Sequence, residues 1–416
     1  MSDTLARTFA SVRKHRNYRL YFGGQAISFT GSWMQQIAAS WLLLQLTHSP
    51  VAVGALALTQ LLPVTVFGLF VGTLLDRYEV RRVAISAETA SLVLAATLAG
   101  LTLAHFVTVW EIYLFAGLMG VAQAVGGPAR HALVFEMVGP DDLANAVSLN
   151  SSLGTAARVL GPAIGGGVVA VAGAGVAFGV NSVSFLAEVA ALLALDTSLL
   201  HRPLRDHGAT VLGGALDALK YVVHTPRAAV AFFGVFALST FSFNFNVLLP
   251  LVAERTLHSG AQTFGLIAAV FGAGALAGAT LNAARGRASL RILLIGALGY
   301  GLFELTLAPL HTLIPVCVIL FAIGFFYTQW GTTALATIQL EAPERLRGRA
   351  ASLYFFAFLG GAPLGGLFAG WLVELGGTEL AFYVAGVVAV VTALACAATL
   401  VTTSPARRIS SSPVSR

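Results

Sequence analysis

Charge is what this sequence has least of. Asp, Glu, Lys and Arg make up 10% of its 416 residues, hydrophobic residues 57%, and the mean hydropathy is +0.83. So few polar side chains cannot cover a water-facing surface, which excludes a soluble globular protein. Cysteine is nearly absent: Cys317 and Cys396 both fall within apolar stretches, where a structural disulfide is not expected. No Ser/His/Asp cluster, metal-ligand spacing or phosphate-cradling glycine loop occurs. Catalysis, a metal, a cofactor and nucleotide-driven pumping therefore find no support, and any work must draw on a gradient, with protons the expected source. The net charge of +6 has no soluble domain on which to gather, so nucleic acid is not expected as a partner.

What the chain has instead is apolar length. A helix needs about 20 apolar residues to cross a bilayer core, and twelve such stretches are present. The first six are Tyr18 to Leu46, Val51 to Leu75, Val83 to Leu103, Val109 to Gly127, Val147 to Val171 and Gly175 to Leu199. The second six are Ala229 to Val252, Gln262 to Ala284, Leu290 to Pro309, Thr312 to Gln339, Ala351 to Val373 and Glu379 to Thr402. Runs this long and uniform predict helices rather than barrel strands, because in lipid each backbone amide must be satisfied within its own segment. The expected fold is an all-α membrane protein, twelve transmembrane helices in two pseudo-symmetric bundles of six.

The basic residues give the orientation. They crowd every second gap: Arg7, Arg13, Lys14, Arg16 and Arg19; Arg77, Arg81 and Arg82; Arg130; Arg202, Arg205, Lys220 and Arg227; Arg285, Arg287 and Arg291; Arg345, Arg347 and Arg349; and Arg407, Arg408 and Arg416. Arg255 alone falls on the other side, and Arg158 lies within a span. The positive-inside rule then puts both termini in the cytoplasm of a cell (inner) membrane. The positive charge thus reads as topology and contact with anionic lipid. The segment Met1 to Asn17 is short and basic with no small-residue cleavage site, so no removable signal peptide is expected.

The longest inner gap lies in the middle and divides the chain. Residues 1–200 form one six-helix bundle, 201–228 a cytoplasmic linker, 229–403 a second bundle, and 404–416 a Ser/Pro/Arg-rich disordered tail. Within the linker, Leu212, Leu216, Leu219 and Val223 share a helical face, as in a helix lying on the membrane surface; a solvated linker fits equally well. The two halves repeat a plan. Pro140-Asp141-Asp142-Leu143 precedes a span containing Gly161-Pro162-Ala163-Ile164-Gly165-Gly166, and Pro343-Glu344-Arg345-Leu346 precedes one containing Ala362-Pro363-Leu364-Gly365-Gly366. Duplicated bundles facing each other are a transporter plan, with the substrate between them at mid-membrane.

Gly72-Thr73-Leu74-Leu75-Asp76-Arg77, followed by Arg81 and Arg82, resembles the signature loop of the major facilitator superfamily, with Glu79 and Val80 displacing its arginines by one place. The resemblance implies a cytoplasmic latch between halves, in which Asp76 faces the N-terminal end of the eleventh span while Arg77 and Arg81 hold the loop. The run Gly161-Pro162 to Gly165-Gly166 resembles the superfamily's antiporter motif: the proline bends the helix and the glycines permit close packing. Asn17 to Gln36, Pro128 to Ala132 and Asn145 to Arg158 are similar to the enterobactin-exporter-like and multidrug exporters of that superfamily. Charge alone suggests a second latch, between acidic Asp141 and Asp142 and basic Arg285, Arg287 and Arg291.

Polar residues inside spans are costly and mark candidate sites. Gln25, Ser28, Ser32 and Gln36 follow helical spacing in the first span, beside Trp33; Ser239, Ser242 and Asn246 do so in the seventh, with Asn244 alongside. The tenth carries Tyr327, Gln329 and Trp330, and the fourth Gln123. By the superfamily resemblance these four spans line the central cavity. Each serine or threonine has the alternative of bonding its own helix carbonyl. Aromatic, amide and hydroxyl groups together suit a largely apolar ligand with scattered polar groups. Arg158 lies too deep to reach the surface, so pairing with Glu188 or Glu88 is its leading expectation and direct substrate contact the second. Those two acids are also the expected proton carriers. The sequence as a whole suggests a monomeric exporter of small amphipathic, drug-like or siderophore-like molecules, working by alternating access against protons. A facilitator or importer is the rival reading, and a membrane scaffold or membrane-embedded enzyme the more remote one.

Overall fold

A computed structural model describes residues 9–67, 71–201, 220–285, 289–341 and 347–403. Described in chain order, its α-helices are α1 (Ala10–Lys14), α2 (Arg16–Thr47), α3 (Pro50–Phe67), α4 (Val71–Arg77), α5 (Val80–Leu103), α6 (Val109–Leu193), α7 (Pro226–Phe241), α8 (Phe245–Leu251), α9 (Ala261–Arg285), α10 (Leu290–Leu307), α11 (Leu313–Glu341), α12 (Arg347–Gly360) and α13 (Ala362–Thr403). No strand occurs among the described residues. Among the described residues, eight helical stretches are long and apolar enough to cross a membrane. The outward faces carry Val183, Leu186, Ile295, Val318 and Leu394, all exposed, as lipid contact requires.

The longest helices are broken where the sequence expects gaps between spans. α6 holds 85 residues but turns at Gly139 (φ 70°) and Gly173 (φ 83°), and α13 turns at Gly377 (φ 73°). These left-handed angles are cheap only for glycine. Two expected spans are not continuous: the eleventh is interrupted at Gly361, between α12 and α13, and the seventh over three residues. The seventh breaks between α7 and α8, at Ser242 to Asn244, so its polar residues do not form one stripe.

The packing repeats itself, as the duplicated motifs suggest. In the first half Gly161 and Gly165 lie against Trp33 and Met34 of α2; in the second, Gly361 and Gly365 lie against Thr240 of α7. One residue further on, each motif touches the opposite half. A Cβ at Gly166 would stand 2.6 Å from the Cα of Gly265 on α9, and one at Gly366 would stand 2.9 Å from the Cβ of Ala57 on α3. α6 therefore packs on α9 and α3 on α13, and these are the main contacts between the halves. The linker residues 202–219, the repeated block at 343–346 and the tail beyond 403 lie outside the described residues.

Candidate functional site

Between those contacts lies a cavity. One chamber of about 240 Å³ is lined by Trp33, Ile37, Arg158, Phe243, Asn244, Phe245, Phe271, Tyr327 and Phe358; a second of about 420 Å³ is lined by Phe29, Ser32, Gln60, Gln123, Ser151 and Thr155. Trp33, Gln36, Ala57, Leu61, Arg158 and Asn246 line both. The walls differ in kind. The first-half wall is rich in amides and hydroxyls, whereas the second-half wall is aromatic. Phe243 stacks on Tyr327 at 4.3 Å with 5° between planes, and Phe245 on Phe271 at 4.7 Å and 18°. The break after α7 exposes Phe243 and Asn244 to the cavity, which an unbroken helix would not do.

Of the residues singled out in the sequence, Ser32, Trp33, Gln36, Gln123, Asn244, Asn246 and Tyr327 reach this cavity. Three do not. Gln25 is buried away from it with its Oε1 unpartnered. Gln329 is a structural tie, donating to the Gly278 carbonyl at 3.1 Å and accepting from Arg285 at 3.2 Å. Trp330 is 1% exposed and wedged among Tyr300, Tyr327 and Phe358, behind the aromatic wall. On α11, Tyr327 faces the cavity, and Gln329 and Trp330, two and three residues along, point away from it. Phe271, Phe358 and Gln60 also line the cavity; the sequence signal for Gln60 is like that for Gln36, an amide in an apolar run.

The buried charges also depart from expectation. Arg158 has no carboxylate within ion-pairing reach among the described residues; its guanidinium lies over the Trp33 ring, 5.1 Å from the centroid, with Nε unpartnered. Arg130 takes the expected place instead. The sequence places it in an inner gap, but α6 runs on through Pro128. Buried there, Arg130 bonds Glu88 Oε1 and donates to Gln123 Oε1 at 2.6 Å. Glu188 lies in the field of both Arg130 and Glu88, fully buried beside Ser28, at a geometry that leaves both its carboxyl oxygens unpartnered. A third acid is buried too: Glu304 accepts from Ser242 Oγ at 2.5 Å, where the seventh span breaks.

A sequence profile of the transmembrane secretion effector family matches residues 6–415. The chain belongs to that family. The chain is 24% identical to the staphyloferrin A transporter of Staphylococcus aureus, over 89% of its own length and 92% of that relative. It is 26% identical to the multidrug efflux pump Tap of Mycolicibacterium fortuitum, covering 85% and 88%, and 27% identical to the enterobactin exporter EntS of Escherichia coli, covering 86% of each. Among solved structures, the nucleoside transporter NupG superposes with a TM-score of 0.72 at 15% identity, over 92% of this chain and 99% of that one. An inward-facing, unoccupied bacterial homologue of the human lysosomal transporter Spinster gives 0.72 at 13%, over 94% and 98%. At such identities these structures speak to the fold alone. The protein is a multi-pass membrane transporter of the major facilitator superfamily; it takes a small-molecule substrate and is not an enzyme.

The loops revise the roles expected of Arg81 and Asp142. Arg81 does not bridge halves: its Nε and Nη2 donate to the carbonyls of Leu192 and Leu193, each at 2.9 Å, capping the end of α6 in the same half. Arg77 is exposed, while the Gly72 and Asp76 side-chain positions lie outside the described residues. Asp142 pairs not with Arg285 but with Lys14 Nζ at 2.6 Å and His15 Nε2 at 2.8 Å, and Ser11 bonds Asn145 beside it. The N-terminal α1 therefore covers the acidic loop that charge alone assigned to the second half; Arg287 lies outside the described residues. At the opposite end a clasp exists that was not foreseen. Arg255 Nη2 donates to the His48 carbonyl, the cap of α2, at 2.8 Å, and His48 Nδ1 faces Glu254 at 3.4 Å.

The hydrogen bond from Lys14, then that from His15, holds the Asp142 carboxyl below its ordinary value. A depressed carboxyl stabilises docking above the usual carboxylate range, and that contribution disappears as pH falls through the lowered value. A fluorophore on residue 9 should thus gain mobility in acid in the native protein. In Asp142→Asn it should be equally mobile at neutral pH; a pH-independent anisotropy in both proteins would remove the Asp142 contact from this account.

Proposed function

We propose that this chain is a secondary active exporter that moves small amphipathic molecules outward by alternating access, in exchange for protons. The observation that carries the proposal is the cavity enclosed between two halves whose closest contacts repeat by pseudo-twofold symmetry at Gly166 and Gly366. Backbones that meet through glycine can pivot without interlocking side chains. In the topology set by the basic gaps, the clasp of His48 with Glu254 and Arg255 shuts the outer side, both termini face the cytoplasm, and the lobes 1–200 and 229–403 rock about the cavity. The relatives' names, efflux pumps and siderophore transporters, support outward movement of amphipathic cargo. Proton coupling rests on Glu88, Arg130 and Glu188: two carboxyls face one guanidinium in lipid, so electrical neutrality there requires one proton.

Everted vesicles containing the protein should accumulate amphipathic dyes when an inward-acidic gradient is imposed, and lose them when an uncoupler is added. Uptake that ignores the gradient would turn the reading to a facilitator. Accumulation only under the opposite gradient would turn it to an importer.

A further inference from the structure

The cavity holds a charge that no described residue neutralises. Among the described residues, Arg158 is the only ionisable one besides Tyr327 lining either chamber. Its guanidinium is propped over Trp33 at 5.1 Å, an interaction that orients the group and leaves its donors unused; the Nε has no partner. The acids of the membrane interior are all elsewhere. Glu88 is bonded to Arg130, Glu304 to Ser242, and Glu188 is buried off the cavity. No described carboxylate lines the cavity to draw in a cation, and one uncompensated positive charge in a low-dielectric space opposes the cation–π attraction of the aromatic wall.

Opposite Arg158 stands the aromatic wall, with Phe243 flat on Tyr327 and Phe245 flat on Phe271. Between the two, Gln36 and Asn246 line both chambers and make no hydrogen bond to another described residue, so their amides are available to a ligand. We infer that this cavity selects organic anions with a planar aromatic body, and that Arg158 is the specificity-determining residue that receives their acidic group. The fork of a guanidinium matches a carboxylate or a pair of phenolate oxygens, while the ring system lies against Phe243 and Tyr327. This deepens the exporter reading and rests on the cavity being its transport site.

Two xanthene dyes separate charge from shape, since fluorescein and rhodamine 123 share a planar body and carry opposite charge. Equilibrium binding to the full-length protein in nanodiscs, with empty nanodiscs as blank, should favour fluorescein. Arg158→Gln should weaken fluorescein by at least about tenfold, the range of a charge-assisted hydrogen bond, while leaving rhodamine 123 equal or tighter. Arg158→Lys should recover part of the anion preference. The inference is overturned if the native protein binds rhodamine 123 as tightly as fluorescein, if it binds neither, or if Arg158→Gln keeps its fluorescein affinity. The native comparison decides the matter even if the variant misfolds, which thermal unfolding would reveal. Because binding is read without transport, anion-selective binding in a protein that fails the gradient assay would fell the exporter reading and leave this one standing.

Discussion

Gly166→Ala yields a protein that inserts and remains helical but turns over slowly. A methyl group there would sit 2.6 Å from the Cα of Gly265 and 2.7 Å from the Ala261 carbonyl oxygen, both backbone atoms that cannot swing aside. The helices must separate where α6 meets α9. Overpacking of this kind costs about 1–3 kcal/mol, so the closed arrangement loses roughly tenfold or more in population against its alternatives. The sign makes the test clean, because alanine favours a helix over glycine by nearly 1 kcal/mol. Loss of transport with undiminished thermal stability then reports the contact between halves and not a weakened helix. Gly265→Ala strikes the same contact from the other side, so the double variant should be little worse than either single one. Wild-type rates in either single variant would show that this contact does not move during transport.

That contact also shows what was legible beforehand. Gly165-Gly166 and Gly365-Gly366 stand at matching places in a repeated block, and the repeat survives in space because each pair keeps one neighbour within its half and one across it. Membrane-crossing lengths, the turns near Gly139, Gly173 and Gly377, and the cavity roles of Gln36, Asn246 and Tyr327 follow from apolar length and from the cost of burying an amide in lipid. What did not follow was direction. Trp330 and Tyr327 lie one turn apart on α11, and only the packing of Tyr300 and Phe358 decides that the indole is walled off. Helical spacing misled wherever the helix was not continuous: Ser239, Ser242 and Asn246 look like one stripe, but after the break Ser242 serves Glu304 and Asn246 serves the cavity. Arg130 was hidden because α6 runs on past the expected end of the fourth span. Once it occupies the site beside Glu88, Arg158 is released to the cavity.

The buried trio gives the second large effect. Glu188→Gln should abolish accumulation driven by a proton gradient, lowering it at least about tenfold to the level seen with an uncoupler, while exchange of labelled for unlabelled substrate continues. The substitution is nearly isosteric, and since Glu188 makes no hydrogen bond with its carboxyl oxygens, no partner is stranded. Glu88→Gln is the less informative experiment. It removes the acid bonded to Arg130, and an arginine left unpaired in the interior costs about 3–5 kcal/mol, so a folding defect would mix with any loss of coupling. The two together apportion the roles: Glu88 fixes the guanidinium, and Glu188 is the carboxyl whose charge nothing else in the trio balances. With glutamine at 188 the charges of Glu88 and Arg130 balance each other without a bound proton, and the conformational change loses its dependence on one. If gradient-driven accumulation survives in Glu188→Gln, the coupling carboxyl must be sought in the other half, where Glu304 holds the same kind of position beside Ser242.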